Sequence, residues 1–280
     1  MKKSKTQNKP KPKPKNKIFN FKTFLFSFII CLSGLFSVFA QAEITNSPWQ
    51  VNKSQHFIIY YQQVQPELVE ELINKAESYY NSIIDEIGYY RFDFWSWDNR
   101  AKIYLYKDAG EFQKATQHSL WAGAVVSVND KVIKTYVGQG SFFDSILPHE
   151  MTHIIFREFI GKNTLLPLWI DEGVASSQER SNLNLLLQIA KELIKQNKYL
   201  ELNTLSGLSG PDKNITPVVF YSEAASLIIF LIREKGKENF LNFSRLLRDG
   251  TNWQKALLKA FNFSSFQDLE AGWKDFVLRQ

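Results

Sequence analysis

The chain has 280 residues, of which 44% are hydrophobic and 22% are charged, so it can bury a sizeable core. Its formal net charge is +6, but nine lysines lie in residues 1–22, and +6 minus 9 leaves −3 for the rest. The rest therefore lacks the basic surface that phosphate recognition requires, and we expect no nucleic-acid partner.

The first 42 residues predict a basic leader followed by an export signal. Residues 1–22 contain no acidic residue and alternate Lys with Pro at positions 9–15, which favours an extended, solvated segment. Residues 23–42 are uncharged and rich in Phe, Ile, Leu and Val, as in the apolar part of a signal peptide. These twenty residues could also span a bilayer, so an uncleaved signal anchor is the alternative. Either way, the remainder is predicted to be extracytoplasmic: secreted, periplasmic, or tethered to the membrane through residues 23–42.

The single cysteine, Cys31, lies inside the apolar segment, so the exported part can form no disulfide. Ile30 precedes it where a lipoprotein signal needs a small residue, so lipid attachment is not expected. Residues 43–280 are sufficient for one domain, with an α/β part at 43–140 and a helical part at 141–280.

Hydrophobic patterns predict the elements of the α/β part. They indicate a strand at residues 56–61, a helix from Pro66 to about residue 87, a second strand at 101–106, and a short helix at 108–118 that Asp108 caps. Residues 123–136 then read as a β-hairpin whose turn is Asn129-Asp130. His56 stands at a strand start with no metal-binding residue at a useful spacing, so we expect it to be structural.

The segment His149-Glu150-Met151-Thr152-His153 places two imidazoles four residues apart, on one face of a helix. The helix is predicted to run from about Phe142 to Ile160, with Ser141 to Asp144 as a capping box and Gly161 as its end. Pro148 should either kink this helix or mark the start of its regular part.

A third ligand candidate, Glu172, follows after a gap of eighteen residues, Ile154 to Asp171, which accommodates a helix, a turn and a second helix. Two histidines and one glutamate are a standard set of protein ligands for catalytic zinc, and they leave the fourth position for water. The pattern therefore predicts a Zn²⁺ site.

The HExxH segment followed by Glu172-Gly173-Val174-Ala175 resembles the gluzincin metallopeptidases of the peptidase MA-like group. The resemblance implies that His149, His153 and Glu172 bind zinc and that Glu150 is the general base. It also implies an α+β, zincin-like fold, in which a small mixed sheet with an edge strand precedes a mostly helical half.

In the resembling family, the strand before the zinc helix pairs its free backbone groups with an extended peptide substrate. The strand that begins at Gly123 could do the same, with Gly123 allowing close approach, or it could belong to a plain core hairpin. Residues 123–127 lack the Gly-x-Met-Glu-Asn motif by which the aminopeptidase branch holds a free amine, so cleavage within chains is favoured.

Further residues are assigned by looser matches. Tyr221 resembles the tyrosine that stabilises the developing oxyanion, or it is ordinary packing at the head of an apolar helix. Asp171 and Glu223 are candidates to orient the histidines. Ser176 stands where the thermolysin branch has a histidine-orienting aspartate. Helices are also predicted at 182–199, from residue 220 onward, and in three short C-terminal segments with Trp273 facing inward.

The sequence thus predicts a zinc-dependent metallopeptidase that acts on a peptide or protein substrate. One alternative is a membrane-tethered binding module that keeps the peptidase fold without catalysis, although such a module has no reason to keep Glu150. Another is hydrolysis of a different substrate, because activated water does not by itself specify an amide.

Overall fold

The structure, a computed structural model, describes residues 48–92, 95–118, 123–209 and 215–280. The predictions for residues 1–42, including the apolar segment and Cys31, lie outside these ranges. In the described ranges, no helix combines the length and apolar character needed to cross a membrane.

The α/β part forms one five-stranded mixed sheet. Its strands are β1 (Gln50–Lys53), β2 (Phe57–Tyr61), β3 (Ala101–Tyr106), β4 (Ala124–Ser127) and β5 (Val132–Tyr136), in the order β1-β2-β3-β5-β4. The central pairs β2–β3 and β3–β5 are parallel, and the outer pairs β1–β2 and β4–β5 are antiparallel. The predicted hairpin is therefore present, and it places β4 at an edge of the sheet.

Ten α-helices make up most of the described residues. They are α1 (Pro66–Glu86), α2 (Ala109–Thr116), α3 (Leu147–Ile160), α4 (Leu168–Ser176), α5 (Leu183–Lys195), α6 (Leu202–Gly207), α7 (Pro217–Ile229), α8 (Lys237–Arg248), α9 (Trp253–Phe261) and α10 (Phe266–Arg279). As predicted, Asp108 caps α2 by accepting a hydrogen bond from the Glu111 amide. The mixed sheet and mostly helical remainder confirm the α+β fold.

One hydrophobic core joins the sheet to the helices. Alternate strand residues point into it, among them Phe57, Ile59 and Ile103, and each has no exposed surface. The core continues through Ile154 of α3 to Trp273 of α10, which faces inward as predicted. The sheet and the helical part therefore support each other, while the domain limits at residues 43, 140 and 280 stay a prediction.

The start of α3 departs from the predicted capping box. A π-helical turn, Phe142–Ile146, precedes the regular helix, and the Ser141 side chain caps nothing. The Asp144 carboxylate instead accepts hydrogen bonds from Lys75 Nζ and Tyr79 Oη of α1, both at 2.9 Å. The capping-box prediction was wrong because a long-range contact with α1 occupies the acid.

Pro148 lies in the first turn of α3, so regular helix begins there rather than kinking. It has no N–H to donate to the Asp144 carbonyl. That carbonyl accepts hydrogen bonds from the amides of Arg180 and Ser181, at 2.9 and 3.1 Å. Because Pro148 leaves the Asp144 carbonyl without a helical partner, this carbonyl can attach the segment after α4 to the start of α3.

Helices α4 and α7 approach closely at Gly173. A Cβ atom built there would lie 2.6 Å from the Ala224 carbonyl oxygen and 2.8 Å from Ile228 Cγ1. Because the nearest atom belongs to backbone, the clash could be relieved only by separating the helices. Gly173 therefore sets the position of its neighbour, Glu172, against the rest of the fold.

We expect Gly173→Ala to lower the free energy of unfolding by about 1–3 kcal/mol, the usual range for overpacking a close helix contact. Chemical denaturation would measure the change. Gly207→Ala is the matched control, since its Cβ would meet no atom within 4 Å, and it should shift stability by less than about 0.5 kcal/mol. Equal effects of the two changes would contradict this account of Gly173.

Candidate metal centre

Helices α3 and α4 bring together the three predicted ligands. His153 Nε2 lies 3.1 Å from His149 Nε2, and the Glu172 Oε2 atom lies 3.6 and 3.8 Å from these two nitrogens. All three residues are buried, with 8% or less of their surface exposed. Elsewhere in the described residues, no other three His, Cys, Asp or Glu side chains bring their ligand atoms together in this way.

The spacing of these donor atoms fits a zinc ion. Tetrahedral zinc with bonds of about 2.0–2.2 Å holds its ligand atoms roughly 3.3–3.6 Å apart. The observed distances of 3.1, 3.6 and 3.8 Å bracket that range. Two imidazole nitrogens and one carboxylate oxygen are also donors that zinc accepts.

Glu179 orients His149 from the side away from the cluster. Its Oε1 atom lies 2.9 Å from His149 Nδ1, and its Oε2 atom accepts hydrogen bonds from Ser145 Oγ at 2.8 Å and Asn182 Nδ2 at 2.7 Å. Glu179 has no exposed surface. With Nδ1 engaged in this way, Nε2 is directed at the other two donors.

Sequence reasoning missed Glu179. It examined position 176, where Ser176 is buried and its hydroxyl has no hydrogen-bond partner among the described residues. The carboxylate stands three residues further on, in the segment that the Asp144 carbonyl holds through Arg180 and Ser181. A search for acids across the turn after α4 could have suggested it.

Asp171, one of the two residues predicted to orient the histidines, contacts His153. Its Oδ1 atom lies 3.5 Å from His153 Nδ1, and both its oxygens contact Arg157, whose Nε and Nη2 donate at 3.0–3.1 Å. Burial acts to raise the pKa of Asp171, but the charges of His153 and Arg157 outweigh it and lower this pKa to about 2. Asp171 is therefore a fixed negative charge behind the histidine.

The other candidate, Glu223, does not contact either histidine. Its two carboxylate oxygens accept from the Leu200 amide, both at 3.0 Å, and it has no exposed surface. Burial raises the pKa of Glu223 to about 8, despite the opposing hydrogen bond. Glu223 is thus a core residue that holds the Leu200 amide before α6, and the prediction that it orients a histidine was wrong.

Carboxylates make the cluster attractive to positive charge. Burial acts to lower the pKa of His149, but its contacts with Glu172 and Glu179 raise that pKa well above the usual value. Burial also acts to lower the pKa of His153, but the charges of Asp171 and Glu172 outweigh burial and raise that pKa. The same environment that holds a proton here would hold a cation.

Glu150 lies beside the cluster and keeps some exposed surface. Burial is the largest cause that raises the pKa of its carboxyl group; the two histidines lower it, and Glu172 and Glu179 add to the rise. A carboxyl group that takes up a proton more readily than usual, next to three metal-type donors, is suited to proton transfer.

The sequence profile of the Peptidase MA superfamily matches residues 97–279, well over half of the chain. The chain belongs to the Peptidase MA superfamily. The match contains both segments of the cluster, and it confirms the family to which the HExxH and Glu172 segments pointed. A comparison with curated proteins found no match. The peptidase MA domain is thus of a metallopeptidase type.

Of two further residues of the peptidase MA domain, Tyr221 keeps its role as a prediction, whereas Gly123 packs against the protein itself. Tyr221 lies near the start of α7, is 8% exposed, and has its ring edge-on to Phe220 with centroids 5.3 Å apart. Gly123 precedes edge strand β4, but a Cβ there would meet Gln139 Nε2 and Ile146 Cδ1. Gly123 therefore serves close packing within the protein, on the side where its Cβ would point, rather than open space for a ligand.

The remaining described histidines of the domain lie outside the cluster. His56 is buried, with Nδ1 2.6 Å from Glu77 Oε2 and its ring stacked on Tyr80 at 3.9 Å. These contacts give it a structural role, as expected. His118 is exposed at the end of the short segment after α2.

Glu179→Ala is expected to weaken zinc binding about 10–100-fold, because the imidazole of His149 loses the carboxylate that fixes its tautomer and orientation. Competition with a chromogenic chelator would measure the affinity. Ser145→Ala, which removes one hydrogen bond from Glu179 and leaves the carboxylate, should have a smaller effect. Unchanged zinc affinity in a folded Glu179→Ala protein would contradict the orienting role.

Proposed function

We propose that this peptidase MA domain is a zinc-dependent metallopeptidase that cleaves peptide bonds within chains. One observation carries the proposal: His149, His153 and Glu172 present three donor atoms within 3.1–3.8 Å of one another in a buried cluster. The buried carboxylates of Glu179 and Asp171 support the two histidines from behind. Such support is typical of functional metal sites.

In the proposed reaction, His149, His153 and Glu172 hold the metal. Bound zinc supplies a Lewis acid that polarises a peptide carbonyl and lowers the pKa of water. Glu150 accepts the proton that the attacking water loses. It then delivers that proton to the nitrogen of the departing amine, so that one carboxyl group serves as base and then as acid.

Two elements are proposed to bind the substrate. The free edge of β4 offers backbone groups to an extended peptide, in the manner of strand addition. Tyr221 is proposed to donate a hydrogen bond to the developing oxyanion. Strand β4 carries no acidic residue, so it offers no counter-ion to a substrate amino terminus. Cleavage within chains is therefore proposed over aminopeptidase action.

The domain is further proposed to act outside the cytoplasm. The support is the sequence of residues 1–42, in which a lysine-rich segment precedes twenty uncharged residues. Residues 23–42 would be either a cleaved signal or a membrane anchor, and in both cases the peptidase domain is exported.

Removal of the metal tests the function. We expect dialysis against a chelator to abolish cleavage of a mixed peptide library and stoichiometric zinc to restore it, with mass spectrometry of the products locating internal cuts. Circular dichroism would verify that the fold persists without metal. Cleavage that continues in metal-free protein would refute the proposal, and a folded, zinc-loaded protein that cuts no peptide would favour the binding module.

A further inference from the structure

The outer face of the sheet is lined by aromatic and basic side chains. The cross-strand partners Val51, Tyr60, Tyr104, Lys134 and Val125 form one row across all five strands. They alternate with the buried residues of each strand, such as Ile59 and Ile103, and so face away from the core. We call this surface the outer face.

As far as the described residues show, α2 covers one end of the outer face and Trp49 lies next to that end. Phe112 of α2 packs against Tyr106 and Tyr136 there, with ring centroids 5.9 and 5.1 Å apart. Beyond that end, Tyr60 stacks on Tyr104 at 4.6 Å. Val51, at the β1 end of the row, is 49% exposed. A partly exposed apolar and aromatic surface thus lies beside the covered end.

The charged side chains that the strands contribute to the outer face are all basic. The five strands contain three lysines, Lys53, Lys102 and Lys134, and no acidic residue. The strand registers place all three on the outer face, because Lys53 and Lys102 both pair with Ile58 and Lys134 pairs with Tyr104. The Lys134 ammonium group lies over the Tyr104 ring, with Nζ 6.0 Å from the ring centroid. An occupant of this face must therefore supply both negative charge and apolar contact.

We propose that the outer face docks onto an anionic phospholipid bilayer. Tyrosine and tryptophan rings have an apolar body and a polar edge, and they are enriched at the level of lipid headgroups. Lysines reach from an apolar surface to phosphate groups and are attracted to anionic lipid. A face that combines both residue types matches a bilayer surface better than it matches an acidic protein, which would leave Tyr60 and Tyr104 without apolar contact.

The short distance along the chain between the apolar residues 23–42 and the outer face also favours a bilayer as the occupant. Trp49 enters the fold on this face, with its ring edge-on to Tyr104 and Tyr106 at 5.3 and 5.2 Å. Only residues 43–48 separate it from the apolar residues 23–42, and six residues reach about 20 Å at most. A membrane-embedded 23–42 segment would hold the outer face close to the headgroups. The helices of the metal centre share the core on the opposite side of the sheet and stay clear of the bilayer.

The test uses the full chain with Cys31→Ser and one introduced cysteine that carries an environment-sensitive fluorophore. Val51→Cys places the label on the outer face, and Lys195→Cys places it on the exposed side of α5 as the control. Both are reconstituted into vesicles of phosphatidylcholine alone and of phosphatidylcholine with phosphatidylglycerol. We expect a blue-shifted, brighter label at position 51 with anionic lipid only, reversed by high salt, and no change at position 195.

Neutralising the lysines provides the second variant. Replacing Lys53, Lys102 and Lys134 by glutamine should weaken docking on the order of a hundredfold, since each lysine near an anionic surface contributes roughly a factor of five. Peptide cleavage by this variant should be unchanged, so the outcome is independent of the proposed function. A position-51 label that behaves alike in both lipids, or that responds to protein concentration without lipid because a second copy covers the face, would overturn the proposal.

Discussion

Glu150→Gln is expected to reduce peptide cleavage by about two to four orders of magnitude while leaving zinc content and fold unchanged. The amide has nearly the same shape as the carboxyl group but cannot accept the proton of attacking water. None of the three donor atoms is altered, because the cluster consists of His149, His153 and Glu172. Single-turnover cleavage of a peptide identified in the library would measure the loss.

Glu192→Gln is the matched control for this change. Glu192 lies on the exposed side of α5, where it pairs with Lys195 at 2.8 Å, and its replacement should affect neither cleavage nor zinc content. A Glu150→Gln protein with the activity of the wild type would remove Glu150 from the reaction. Loss of zinc together with activity would instead place Glu150 among the groups that maintain the metal centre.

Glu172→Ala is expected to lose zinc, with an affinity reduced by more than about a hundredfold and activity lost with it. The change leaves only two imidazoles and removes the only carboxylate among the three donors, so the third protein ligand is missing. Elemental analysis of the purified wild type and variant, side by side, would measure the metal. Wild type should contain one zinc per chain.

Glu172→Ala could lose zinc because the protein unfolds or because a metal ligand is missing, and a second measurement must separate these two explanations. Glu172 is 5% exposed on α4, so unfolding curves of both proteins should be compared in chelator, where no metal contributes. Similar curves would assign the effect to the ligand. Glu172→Gln, which keeps one oxygen donor and most of the volume, should retain more zinc than Glu172→Ala. A Glu172→Ala protein with full zinc content would show that the third ligand lies elsewhere.

Local geometry explains why the donor cluster could be predicted from the sequence. Two histidines one helical turn apart must share a face, and a helix–turn–helix of the length between Ile154 and Asp171 brings the next helix back beside the first. The strand predicted at residues 56–61 from an apolar and aromatic run is found at Phe57–Tyr61, and the strand predicted at 101–106 from alternation is found at Ala101–Tyr106. The edge position of β4 followed from the hairpin and the family resemblance.

Long-range contacts explain what the sequence did not reveal. Glu179 reaches His149 only because the Asp144 carbonyl holds the residues after α4, and that acceptor exists because of Pro148 and a π-helical turn. The false capping box had the same origin, since Asp144 is taken by side chains from α1. Strand β1, a mostly polar segment with all four residues exposed, has no hydrophobic alternation and is defined by its pairing with β2.

The hydrogen bonds behind the two histidines bear on when the chain acquires its metal. Glu179 and Asp171 hold the imidazoles through partners such as Ser145 and Arg157, none of which needs an ion to be in place. Small zinc domains, by contrast, fold only as the metal binds. We therefore expect this domain to fold before it binds the proposed metal, as two separable events. The ion present in the compartment where folding finishes, rather than the one present during synthesis, would then decide which metal the protein carries.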